Sequence, residues 1–318
     1  MGEAVSRAQS FPDLAGRGAP LSPPAVILAC RNVERGERTR AALEAELRGA
    51  GDEGAPAPSS EVMELDVGEL ASVRAFASDV DERGLRVDYL VNNAGVYLLG
   101  ERTRRTTREG REAHLATNFL GPCLLTLLLL PALARASAKG ARIVNVSSKL
   151  HEFGTVTADW SDPGLEAPGA YSPFRAYANS KLAQLLFGAE LRRRLQAAGA
   201  GGVAGLQVLA VHPGMVITGV ANTLPHWMQW AYRNFMQVCL LVPEEGARAT
   251  VHACCAPDAG DKSAETGGYF TFNAEARAPA AAALDPGGAR GVWAWALEEL
   301  GGEAGLPAPV RALLGAAD

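Results

Sequence analysis

The stretch Tyr171-Ser-Pro-Phe-Arg-Ala-Tyr177-Ala-Asn-Ser-Lys181-Leu-Ala183, near the middle of the chain, decides how the rest is read. Tyr177 and Lys181 are four residues apart, so on a helix they lie on one face, a turn from each other. An ammonium held there favours the phenolate and lowers a tyrosine pKa from its ordinary value of about 10. A phenol tuned in this way gives a proton to a carbonyl oxygen or takes one from an alcohol. A solvated lysine beside a packed aromatic has the same spacing, so the pair gains meaning only from its surroundings.

Those surroundings alternate between strands and helices. Residues 1–24 hold no apolar run long enough for a strand. Ala25-Val-Ile-Leu-Ala-Cys30 predicts a strand, followed by Arg31 and a charged helix through Arg48. Residues 49–60 read as a Gly/Pro/Ser loop, Glu61-Val-Met-Glu-Leu-Asp66 as a strand and 70–83 as a helix. Val87-Asp-Tyr-Leu-Val91 is a third strand, closed by Asn92-Asn93-Ala94-Gly95, and a long helix is expected over 108–130. Arg142-Ile-Val-Asn-Val146 is a strand ending in Ser147-Ser148; the Tyr177 helix runs to Leu195. Leu206-Gln-Val-Leu-Ala-Val211 ends in His212-Pro213-Gly214, and a short strand at 268–272 and a helix at 291–300 follow.

Strands apolar on both faces and alternating with helices predict an α/β fold: a doubly wound, mostly parallel, Rossmann-like sheet. Ligands bind such sheets at the carboxyl ends of the strands. Here those ends read Arg31, Asp66, Asn-Asn-Ala-Gly, Ser-Ser and His-Pro-Gly, the small and polar residues a ligand would meet.

Composition narrows the function classes. The chain has 318 residues, 48% hydrophobic and 20% charged, with a net charge of −5, which suits one large globular domain without a nucleic-acid footprint. The basic run Arg102, Arg104, Arg105, Arg108 and Arg111 is interleaved with Glu101, Glu109 and Glu112 and reads as a solvated helix face. Five cysteines without a Cys-x-x-Cys read as buried thiols in a reducing compartment, and five scattered histidines give no metal site. No signal peptide opens the chain, and the apolar run 124–133 is interrupted by Pro131 and too short to span a bilayer, which predicts a buried helix. The aromatic stretch 227–242 is open to three readings: a membrane-surface contact, a cover for a greasy substrate, or a core-facing helix. The implied location is cytoplasmic, or peripheral on an intracellular membrane.

Seven segments together resemble the short-chain dehydrogenases/reductases, in their retinol dehydrogenase-like branch. They are Leu28-Ala-Cys-Arg31-Asn, Leu65-Asp66-Val67 with Ser72-Val-Arg-Ala-Phe, Val91-Asn-Asn-Ala-Gly95, Asn118-Phe-Leu-Gly-Pro-Cys-Leu-Leu-Thr, Arg142-Ile-Val-Asn-Val-Ser-Ser148, Tyr177-Ala-Asn-Ser-Lys181-Leu-Ala and His212-Pro-Gly. The resemblance implies that Tyr177 is the acid/base, that Lys181 lowers its pKa and holds the nicotinamide ribose, that Ser148 bonds the substrate oxygen, and that Asn118 anchors a water in the proton path. It places Arg31 on a 2′-phosphate, favouring NADP(H), with Asp66 and Val67 by the adenine and Asn93, Ala94 and Gly95 bringing backbone close to the cofactor. Pro213, Gly214 and Thr218 would flank the nicotinamide amide. On their own, Asp66 also reads as a helix N-cap, Asn92-Asn93 as a turn and Arg31 as a surface charge. The implied substrate is a small apolar carbonyl or alcohol, of retinoid, steroid or lipid type, and 227–235 falls where the family has its variable lid.

The family's opening strand and Thr-Gly-x-x-x-Gly-x-Gly turn, which hold the pyrophosphate on backbone amides, have no counterpart in the printed residues; Gly16 and Gly18 follow no strand. The sheet is therefore expected to lack its first strand, which would lie between those at 25–30 and 87–91. The expected division is an irregular 1–24, a domain over 25–305 and a tail over 306–318. The expected function is an NADP(H)-dependent carbonyl/alcohol oxidoreductase. The alternative is a non-catalytic, truncated member with impaired cofactor binding that acts as a binding or dimerisation partner, a homodimer through the helices at 108–130 and 177–195 included.

Overall fold

The computed structural model describes residues 25–50, 59–100, 103–138, 140–155, 160–199, 203, 205–215, 241–260 and 266–315. The expectations for residues 1–24, for Thr218 and for the aromatic stretch 227–235 lie outside them. Contacts gather into two units, Met1–Leu65 and Asp66–Asp318.

In the first unit, strand β1 (Ala25–Cys30), helix α1 (Val33–Ala50) and strand β2 (Ser59–Glu64) form one crossover. β1 and β2 pair in parallel from Ala25 opposite Ser59 to Cys30 opposite Glu64. The Asn32 Oδ1 accepts from the Arg35 N–H at 2.8 Å and so caps the start of α1. β1 is apolar throughout, yet Val26 is 44% exposed.

The second unit carries strands β3 (Tyr89–Asn92), β4 (Arg142–Val146), β5 (Gln207–Val211) and β6 (Tyr269–Phe270), all parallel in the order β3-β4-β5-β6. Among the described residues β3 has β4 as its one partner, so its other edge is open. Helices α2 (Leu70–Glu82), α3 (Gly121–Ser137), α4 (Pro173–Ala197), α5 (Pro243–Cys255), α6 (Pro286–Glu299) and α7 (Ala308–Leu314) flank this sheet. Every residue of β4 is buried, as a covered parallel strand requires. Ala249 and Ala253 of α5 pack on Val144, Val146, Leu209, Val211 and Phe270. α7, within the segment expected as a tail, buries Val310 and Leu314.

Three expectations are corrected here. The helix expected over 108–130 starts later and ends later: a turn closes through Gly110, with a bridge between Thr106 and Glu112, and the helical run covers Ala113–Ser137. Pro131 does not interrupt it, because α3 keeps the proline inside its length. This run is long and apolar enough to cross a membrane, but Leu124, Leu127, Leu130 and Leu133 are fully buried in the protein. The basic run is not a solvated helix face. Arg104 donates to the Gly164 carbonyl at 2.8 Å and pairs with Glu166, and Arg111 donates to both the side chain and the carbonyl of Glu299.

Candidate active site

α4 presents the Tyr177–Lys181 pair. Ser172 caps it, its Oγ accepting from the Arg175 N–H at 3.2 Å, and Pro173 opens the first turn. Tyr177 therefore lies at the start of the second turn of the helix, with Lys181 a turn further on and 4% exposed. The Lys181 Nζ sits 5.7 Å from the centre of the Tyr177 ring. It donates to the Val146 carbonyl at 2.9 Å and to the Gln184 Oε1 at 3.3 Å.

Ser148 follows β4 and caps the short helical turn Lys149–Phe153, its Oγ accepting from the Leu150 N–H. The neighbouring Ser147 is committed elsewhere, donating its hydroxyl to the Lys181 carbonyl at 3.1 Å. The pair therefore divides, with Ser147 tying β4 to α4 and Ser148 near enough to the Tyr177 phenol to work against its upward shift. His151 fixes the Ser148 turn: one ring nitrogen bonds the Ser148 carbonyl at 2.7 Å, and the other accepts from the Ala280 N–H.

Asn118 is fully buried in a π-helical turn, Ala116–Leu120, between Ala113–Leu115 and α3. Its side chain accepts from the Val96 N–H at 2.7 Å and donates to the Val96 carbonyl and to the Ser180 Oγ. The chain leaving β3 is thereby stitched down beside α4. A Cβ at Gly95 would lie 3.1 Å from the Asn118 Oδ1, a tight contact, and 3.5 Å from the Lys181 Nζ.

The structure thus brings Gly95, Asn118, Ser148, Tyr177 and Lys181 together at the carboxyl ends of β3 and β4. Asn93 and Ala94 are exposed beside them. Pro213 and Gly214 follow β5, half-buried. Val67 is buried, and Asp66 holds its own turn, accepting from the Gly68 N–H at 2.9 Å, while the N-cap position of α2 falls to Glu69 and not to Asp66. Arg31 is exposed after β1 in the first unit.

Burial dominates the electrostatics of the pair. It pushes the Tyr177 phenol up from its ordinary value, and the nearby Ser148 only partly offsets this. Burial lowers the Lys181 ammonium to about 7. A lysine this desolvated gives up its proton more readily, and no carboxylate among the described residues stands beside it to hold the charge.

Several residues of this site escaped the sequence reading. Tyr97 stacks on Tyr177, ring centroids 4.2 Å apart. His114 meets Tyr177 edge-on at 6.2 Å; its Nε2 accepts from the Leu98 N–H, which leaves Nδ1 to donate to buried Glu112 at 2.8 Å. Gln184 bridges Lys181 and the Asn118 carbonyl. A sequence signal existed for the last: Pro122 stands four residues after Asn118 and has no N–H for its carbonyl.

The site fits the nicotinamide-ribose end of a dinucleotide. The bare backbone at Gly95 stands within contact distance of Asn118 and Lys181, and Lys181 has donor capacity with only uncharged acceptors beside it. Among the described residues no glycine-rich turn opening a helix is present to cradle a pyrophosphate.

Residues 24–158 match the short chain dehydrogenase family. Mouse polyprenol dehydrogenase is 38% identical over 282 residues, which cover 88% of this chain and 77% of that protein. Mouse retinol dehydrogenase 14 is 35% identical over 244 residues, 73% of this chain and 66% of that relative. A crystal structure of an uncharacterized protein from Mycobacterium paratuberculosis superimposes with a TM-score of 0.62 at 32% identity, covering 89% of this chain and 85% of that one. With the fold and these relatives in agreement, the chain belongs to the short-chain dehydrogenase/reductase family of nicotinamide-dependent oxidoreductases, in its retinol dehydrogenase-like branch.

Proposed function

We propose that this protein interconverts an apolar alcohol and its carbonyl compound with NADP(H), at the centre formed by Tyr177, Ser148, Lys181 and Asn118. The observation that carries the reading is the convergence of a phenol, a hydroxyl and a buried ammonium from two elements at the strand ends. The Tyr177 O–H donates its proton to the substrate oxygen in reduction and takes it back in oxidation, while the Ser148 hydroxyl bonds the same oxygen. A bound nicotinamide supplies or accepts the hydride. Lys181 holds the ribose hydroxyls, and the backbone of Asn93, Ala94 and Gly95 with Pro213, Gly214 and Thr218 lines the nicotinamide. Asp66 and Val67 face the adenine, and Arg31 pairs with the 2′-phosphate, which selects NADP(H). The catalytic domain covers 25–305.

An apolar substrate is supported by Phe153 and Phe174, 57% and 38% exposed with ring centroids 5.5 Å apart. They project from the two elements that carry Ser148 and Tyr177. Relatives named for polyprenol and retinol agree with this class. A peripheral membrane contact, through which such a substrate would arrive, belongs to the same reading.

A second reading, a family member that binds partners, itself included, without turnover, is favoured by the open β3 edge and the missing glycine turn among the described residues. Titrating the folded 318-residue chain with NADPH, followed by tryptophan fluorescence, separates the two. Saturable micromolar binding supports the enzyme; a folded chain that ignores NADPH supports the alternative.

A further inference from the structure

Asn118 has two roles in the fold, one for its side chain and one for its carbonyl. The side chain is fully used on Val96 and Ser180. The carbonyl sits in the π-helical turn, and the residue that would bond it in an α-helix is Pro122, which has no N–H. A side-chain donor reaches it from α4: Gln184, one turn beyond Lys181 and 3% exposed. Its Nε2 donates to the Asn118 carbonyl at 2.7 Å.

This bond fixes which way round the amide lies. A carbonyl only accepts, so the nitrogen of Gln184 must face Asn118 and the oxygen must face away. The oxygen then meets the Lys181 Nζ at 3.3 Å. The ammonium is held between two acceptors, the Gln184 Oε1 and the Val146 carbonyl.

We propose that Gln184 is a positioning residue for Lys181: its side-chain amide joins the lysine to the Asn118 carbonyl. An amide bridge of this kind is directional and fixed in place. It holds the Lys181 head on the Tyr177 side of the site. The inference rests on the reading of Tyr177 and Lys181 as the catalytic pair. The titratable groups around the lysine are Tyr177, at 5.7 Å from Nζ to ring centre, and behind it Tyr97 and His114 with Glu112. The Glu112 carboxylate is taken up by His114 and the Leu115 N–H.

The chain has four lysines, Lys139, Lys149, Lys181 and Lys262, so labelling the lysine ε-carbons gives four NMR signals, and Lys181→Met identifies the one that matters. The titration is run on the ligand-free full chain, so it is independent of turnover. Gln184→Glu, isosteric but charged, should raise the Lys181 midpoint by more than one pH unit. Gln184→Met, which removes the acceptor, should lower it. Unchanged midpoints in the folded variants would overturn the bridge. The unmodified chain gives a second readout: the side-chain amide protons of Gln184 should exchange at least tenfold more slowly than those of a free amide, and fast exchange would also overturn it. If the midpoints move while the pH profile of turnover does not follow, the bridge stands and the catalytic reading of Lys181 falls.

Discussion

The ring of Tyr97 lies on the ring of Tyr177, centroids 4.2 Å apart and planes 25° apart. The contact leaves the Tyr177 hydroxyl for Ser148 and the substrate while restricting how the ring turns. Offset-stacked aromatic pairs contribute roughly 0.5–1.5 kcal/mol beyond their buried area. Tyr97→Ala should therefore lower kcat about three- to tenfold by loosening the acid, and Tyr97→Phe, which keeps the ring, should retain most of it. Steady-state rates of the two variants check this; an Ala variant as fast as the parent would remove the role.

Lys181 makes stability depend on pH with a definite sign. Its folded pKa of about 7 lies below the ordinary 10.5, so between these values the unfolded chain binds more protons. Stability should rise with pH across that window and level off below about 7. The upward-shifted tyrosines act in the opposite direction at higher pH, so the comparison is best made between pH 7 and 9.5 against Lys181→Met. The difference in urea midpoint between parent and variant should grow with pH in favour of the parent. A constant difference would mean that the lysine is not desolvated in solution.

Gly121 sets how closely α3 approaches the chain after β2. A Cβ there would come within 3.2 Å of the Val67 Cα and closer still to the Val67 carbonyl, and backbone has little freedom to give way. Gly121→Ala should cost at least about 2 kcal/mol, read as a lowered denaturation midpoint. A variant as stable as the parent would show that the two segments move apart freely.

Arg31 carries the cofactor preference in this account. Arg31→Ser should weaken NADPH at least tenfold and leave NADH nearly unchanged, because only the former has the 2′-phosphate that a guanidinium grips. Equal losses in paired binding titrations would assign the preference to other residues.

Much of this was legible in the sequence because it rests on local pattern. The run Arg142–Val146 is apolar enough to require burial on both faces, and it is the fully buried strand. Tyr177 and Lys181 share a helix, so their spacing alone placed them on one face. What local pattern could not supply were contacts that depend on the environment. Whether Lys181 acidifies Tyr177 turns on burial, which no spacing encodes, and here burial pushes the phenol up and the ammonium down. Arg104 and Arg111 read as a solvated face because their partners Glu166 and Glu299 are far away in sequence. Gln184 looked like an ordinary helix residue until Pro122 left a carbonyl within its reach.

The central claim is that Tyr177 is the acid/base of a nicotinamide-dependent carbonyl/alcohol oxidoreductase, taking the proton when an alcohol is oxidised. The most direct measurement is turnover of an isoprenoid or retinoid alcohol with NADP+ by the full 318-residue chain and by Tyr177→Phe, with circular dichroism confirming that both are folded. The account predicts turnover by the parent and a loss of at least about a thousandfold in the variant. Turnover retained in Tyr177→Phe, or none by a folded parent that binds NADP(H), would contradict it.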